Sequence, residues 1–214
     1  MHLNDIKPKL ESAIVTKEYD NEAQIKIFAV RDLWSKSISL DGTIGQRYLT
    51  EHRGLCDTSK LEIRFVPKDT KMSLSDDSIK PSFAQMIVIG GSAGLIQQGS
   101  TKIVYLAEGA ETAASIAQVK KDDWVYCTFG LGNLRKLGEF IKANKFEEVI
   151  LAADNDGDNL NTRKLITTAI NELATKGIYM EVIYPPLPNG LDKSDWNDVL
   201  VLLGQQKLRE CLEK

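Results

Sequence analysis

Residues 147–177 read EEVILAADNDGDNLNTRKLITTAINELATKG. An apolar run, Val149 to Ala153, leads into three aspartates in five positions, Asp154, Asp156 and Asp158. A segment with helical apolar spacing follows and stops at Gly177. A short apolar run bounded by polar residues predicts a buried strand, and the amphipathic stretch after it predicts a helix packed back on the sheet.

The same unit recurs on both sides. Residues 102–109 (KIVYLAEG) read as a strand ending in Glu108-Gly109, and ETAASIAQV as the helix after it. Residues 123–130 (DWVYCTFG) read as a strand, and 133–144 (NLRKLGEFIKAN) as a helix capped by Asn133. Residues 179–186 (YMEVIYPP) are a fourth strand, and 193–204 (KSDWNDVLVLLG) open a last helix at Ser194. Four β-α units in succession predict an α/β fold with a mainly parallel four-stranded sheet and helices on both faces. In such sheets functional groups collect at the carboxyl ends of the strands. Glu108 and the aspartate cluster both fall there.

Residues 1–99 differ in pattern and are expected to form a separate helical and small-β segment ahead of a domain at 100–214. A helix is expected from Asn4 to about Lys17, and another from Glu22 to about Ser35 with Ile25, Phe28, Ala29 and Leu33 on one face. Thr43 can cap a short helix carrying Tyr48 and Leu49, with Gly54 as its stop. Leu61–Pro67 alternates like a strand, residues 68–82 are polar and loop-like, and residues 85–97 suggest two short strands about a Gly-Gly turn.

Bulk properties narrow the function classes. With 43% hydrophobic and 27% charged residues the composition is that of a globular protein. No apolar run reaches the roughly 20 residues that span a bilayer, and the first residues lack a signal-peptide core. A soluble, cytoplasmic protein is the expectation. Cys56, Cys127 and Cys211 are isolated, which argues against a zinc site or a disulfide framework. The net charge of −3 gives no global basic signature. The first 102 residues carry 14 Lys/Arg against 13 Asp/Glu, and the rest 13 against 17. A polyanionic partner would therefore need a local basic patch or a bridging divalent cation.

Four readings of the aspartate cluster compete. Asp158 or Asn159 can cap the following helix, but one cap does not account for three aspartates. A calcium loop would need Gly and Glu where Asn159 and Leu165 stand. An aspartyl-phosphate phosphatase motif, D-x-D-G-T, fits Asp154 to Gly157 but meets Asp158 in place of the threonine. A magnesium site suits alternating carboxylates at a strand end, because Mg²⁺ takes one or two carboxylates and completes its shell with water and phosphate oxygens. Glu108 on a neighbouring strand end could then exchange a proton with the reacting group. Asp195 and Asp198 read equally as a helix N-terminus or as further carboxylates of the site. Arg135 and Lys136 read as phosphate contacts or as a solvated helix face.

YLAEGAETA followed by ILAADND in this strand–helix alternation resembles a Toprim domain, the catalytic module of bacterial-type primases, topoisomerases and related nucleases. Residues 29–55, with Gly42, Thr43, Tyr48, Leu49, Arg53 and Gly54 at their spacing, and residues 193–200 (KSDWNDVL) are similar to the primase-like Toprim proteins of plasmids, phages and conjugative elements. The resemblance implies Glu108 as general acid/base and Asp154 and Asp156 as ligands of Mg²⁺ or Mn²⁺. Asp195 and Asp198 are additional candidates for the site, as is Asp158, an extra to the family pattern best accounted for by capping. It implies a nucleotidyl-transfer or phosphodiester enzyme acting on nucleic acid, single-stranded DNA and nucleotides in particular. A catalytically silent Toprim relic that binds nucleic acid or a partner is the alternative. The sequence departs from the usual D-x-D-x-x-G: Gly stands at 157 and Asn at 159.

Overall fold

The computed structural model describes residues 21–68, 70 and 91–213. The chain divides into two units, residues 1–36 with 68–89, and residues 37–67 with 90–214. In the first, α1 spans Asn21–Lys36. Its buried positions are Ile27 and Ala29, whereas Ile25 and Phe28, expected on the covered face, are exposed. The expected helix at 4–17, the loop at 71–82 and the first strand of the Gly-Gly turn lie outside the described residues.

The second unit is built on a five-stranded sheet. Its strands are β3 (Gly94–Gln97), β4 (Ile103–Ala107), β5 (Trp124–Cys127), β6 (Glu148–Ala152) and β7 (Glu181–Ile183), in the order β3-β5-β4-β6-β7. β4, β5, β6 and β7 run parallel to their neighbours, and β3 pairs antiparallel with β5. The expected four strands are thus joined by a fifth, drawn from residues that read as part of the segment ahead of the sheet. Gly94–Gln97 is the second of the two short strands expected about the Gly-Gly turn, and it joins the sheet by pairing with β5.

Register places the strand ends level. Ala107 pairs with Cys127 on one side and Ala152 on the other, and Ala152 pairs with Ile183. Side chains alternate between two cores. Tyr105, Ala107, Val125, Cys127, Ile150 and Ala152 face α3 (Ala110–Ala117) and α7 (Trp196–Leu212). Val104, Leu106, Tyr126, Val149 and Leu151 face α5 (Gly138–Asn144) and α6 (Leu160–Ala174). Burial on both faces is why these strands read as unbroken apolar runs.

The helix expected from Asn133 is two helices, α4 (Leu131–Leu134) and α5. Asn133 is not a cap. It is buried within α4, where its side chain accepts from Gly91 N–H (2.8 Å) and donates to the carbonyls of Ser92 (2.8 Å) and Thr128 (3.0 Å). A buried amide with three partners ties the chain entering β3 to the end of β5. α7 is interrupted at Gly204, whose φ of +86° suits glycine.

Residues 37–67 wrap this sheet. β1 (Ile38–Ser39) and β2 (Arg64–Phe65) form an antiparallel pair. α2 (Ile44–Arg47) is capped by Thr43, whose hydroxyl accepts from Gln46 N–H, and a π-helical turn, Tyr48–His52, follows. Leu40, Leu49 and Leu55 enter the core under α3 and α7. Gln118 grips the segment by accepting from Asp57 N–H (3.1 Å) and donating to its carbonyl (2.8 Å). Glu62 N–H donates to the outward-facing carbonyl of Ile96 in β3 (2.8 Å). No described helix is long and apolar enough to cross a membrane.

Candidate catalytic and metal-binding site

Level strand ends put Glu108, the residue after β4, beside the loop that leaves β6. Asp154 is half-buried there, and its Oδ1 is buried with no hydrogen-bond partner. Burial first, then the charges of Asp195, Glu108, Asp156 and Asp198, push its carboxyl up to about 7. Glu108 is also raised, by burial and then by the charge of Asp156, against the opposing hydrogen bond from Leu131 N–H. A carboxyl with a buried, donorless oxygen and four acidic neighbours favours its neutral form.

The aspartate loop is stitched to the last βα connection. Asn155 and Ser194 exchange backbone hydrogen bonds in both directions (2.8 and 2.9 Å), and the Asn155 amide donates to the Pro185 carbonyl (2.9 Å). Gly157 crosses that connection so closely that a Cβ would stand 2.6 Å from the Asp192 carbonyl, at a φ of +62°. Glycine at this position, a departure from the usual acidic motif, is what the crossing requires. Asp195 then caps α7 in a reciprocal box: its carboxylate accepts from Asp198 N–H (2.8 Å), and Asp198 accepts from Asp195 N–H (3.0 Å). Burial, before any other cause, raises the Asp195 carboxyl. The helix-cap reading of this pair is what the geometry shows: each aspartate spends one oxygen on the cap, and the charge of each also acts on Asp154.

Glu108, Asp154, Asp156, Asp195 and Asp198 are brought together by this arrangement. Asp158 is not among them. It is fully exposed beside Arg163 (3.7 Å), and Asn159 caps α6 by accepting from Asn161 and Thr162 N–H. Arg135 and Lys136 are exposed on and after the end of α4.

Residues 103–206 match the family model described as the Toprim domain. This part of the chain is a Toprim domain. No curated protein and no solved structure matches the chain. Toprim domains bind magnesium through acidic residues and act in nucleic-acid processing.

Among the described residues of the Toprim domain, no three His, Cys, Asp or Glu side chains are gathered into a set that could hold a metal ion by themselves. The donor chemistry nonetheless fits a hard divalent cation. Asp154 offers an orphaned carboxylate oxygen, the neighbours are all oxygen donors, and Mg²⁺ ordinarily takes only one or two carboxylates. Asp156 is held ready: Thr162 Oγ1 donates to its Oδ2 (2.7 Å), and Lys193 Nζ lies 3.4 Å from its Oδ1.

Three contributors escaped the sequence reading. Lys193 is one, and its sign among acids in KSDWND was the available signal. Thr162 is another, and it carries no signal apart from its place in a first helical turn. Arg53 is the third. Its Nε donates to Tyr48 Oη (2.7 Å), its guanidinium pairs with Glu111 (2.6 Å), and its charge opposes the rise at Asp195. The Arg-Gly-Leu lead-in matched the family pattern without a role until this contact joined it to the site.

Proposed function

We propose that the protein is a Mg²⁺- or Mn²⁺-dependent enzyme of nucleic-acid phosphodiester chemistry, either primase-like nucleotidyl transfer or strand cleavage on single-stranded DNA. The observation that carries this reading is the unpartnered, half-buried Asp154 carboxylate set among Glu108, Asp156, Asp195 and Asp198 at level strand ends. Asp154 and Asp156 would hold the metal ion. Bound there, the ion would offset negative charge on the phosphate undergoing transfer. Glu108 takes the proton from the attacking hydroxyl as the new P–O bond forms, and returns it as the leaving oxygen departs or to water. Its raised carboxyl moves it towards the operating pH. Lys193 faces the same centre and can pair with a phosphate oxygen once Asp156 is engaged elsewhere. The similarity of residues 29–55 and 193–200 to primase-like proteins of mobile and conjugative elements supports such an origin.

Titration calorimetry with Mg²⁺ and Mn²⁺ tests the site. Wild type should bind, and Asp154→Asn should lose at least tenfold in affinity. Equal binding by the variant would sink the assignment. Primer synthesis and strand cleavage on single-stranded DNA then test the chemistry, with Glu108→Gln expected to lose about 10²-fold or more. The gathering of acids short of a closed chelating set favours a second reading, a silent binding module. It predicts no turnover by wild type but intact, salt-dependent DNA binding.

A further inference from the structure

We infer that the groove between α4 and α6 seats a backbone phosphate of the nucleic-acid strand on which the Glu108–Asp154 centre acts. The inference rests on the function proposed above and names where its substrate lies. The groove encloses about 440 Å³ and is lined by Leu131 and Arg135 on one side and Asn161, Lys164, Leu165 and Thr168 on the other. Both walls lead to the acidic centre. Leu131 N–H donates to the Glu108 carboxylate, and Thr162, next to Asn161, donates to Asp156. A strand whose reacting phosphate lies at the acids therefore has this groove as an adjoining path.

Charge supports that path. The centre is acidic and the chain carries a net charge of −3, so a polyanion needs cations close by. Neighbouring cations are engaged: Arg163 donates to the Gly157 carbonyl, and Lys193 pairs with Asp156. Arg135 and Lys164, on opposite walls, have no ion-pair partner among the described residues and are exposed. Asn161 and Thr168 add polar side chains able to bond a phosphate oxygen. The leucines offer apolar contact to the sugar, and among the described residues no aromatic side chain on which a base could stack lines the groove. Such contacts position a strand without reading its sequence. Lys136, grouped with Arg135 on sequence grounds, does not line the groove.

Fluorescence anisotropy of a dye-labelled oligothymidylate, measured over a series of salt concentrations with Mg²⁺ present, tests the inference. The double variant Arg135→Glu/Lys164→Glu should bind about tenfold or more weakly, and the slope of log affinity against log salt should fall by roughly 0.7 for each cation lost. Lys136→Glu should change little. Unchanged melting temperatures will show that these surface variants fold. Wild-type affinity in the double variant, or an equal loss in Lys136→Glu, would overturn the groove while leaving the metal site standing. Wild type that binds no oligonucleotide at any salt would overturn both the groove and the proposed function.

Discussion

A single oxygen atom at Asp154 concentrates the electrostatics of this protein. Its carboxyl, pushed up to about 7 chiefly by burial, keeps a proton in the folded state that an ordinary aspartate loses near pH 3.9. Between those values the folded protein binds more protons than the unfolded chain. Stability contributed by this group is therefore present at low pH and falls as pH rises through the window from about 4 to 7. Glu108 and Asp195, both raised, push in the same direction. Without divalent ions, the melting temperature should drop by several degrees between pH 5 and 8, and Asp154→Asn should flatten that drop. A variant with the wild-type pH profile would show that the buried carboxyl does not carry the effect.

The elements that hold the site are fastened by buried polar groups as much as by apolar packing. Asn197, buried in the first turn of α7, donates to the Arg53 carbonyl (2.7 Å) and to Ser115 Oγ in α3 (2.9 Å). One amide thus links the lead-in segment, the helix after Glu108 and the helix capped by Asp195. Asn197→Ala strands both acceptors and should cost about 1–3 kcal/mol in chemical denaturation. If it costs nothing, the linkage is incidental. β4, β5, β6 and β7 were legible in the sequence because burial on both faces leaves long apolar runs, and the site acids because they follow those runs directly. β3 was legible only as the second half of a hairpin about the Gly-Gly turn, and its place beside β5 was not, because that pairing joins residues about 30 apart in the chain. Nor was the role of Asn133, whose partners lie about 40 residues earlier in the chain as well as beside it. The pairing of Lys193 with Asp156, 37 residues away, was hidden for the same reason.

At the scale of the molecule, the segment at 37–67 and the Toprim domain share one core. Leu55, almost fully buried, packs in the same cluster as Ile96, Ala107 and Trp196. A fragment cut close to the family match, residues 91–214, should therefore unfold at lower temperature than the full chain and bind a hydrophobic dye, which thermal melts and dye fluorescence can check. Equal stability would show that the lead-in is dispensable.

Glu62 adds a separate consequence. By capping the outward carbonyl of Ile96 it shields the rim of β3, where unpaired backbone would recruit a strand from another copy. The opposite rim, β7, is only three residues long and carries Glu181, a poor template for such recruitment. A deletion of residues 58–65 would remove this cover from the β3 rim, and a rise in light scattering on concentration is the expected outcome.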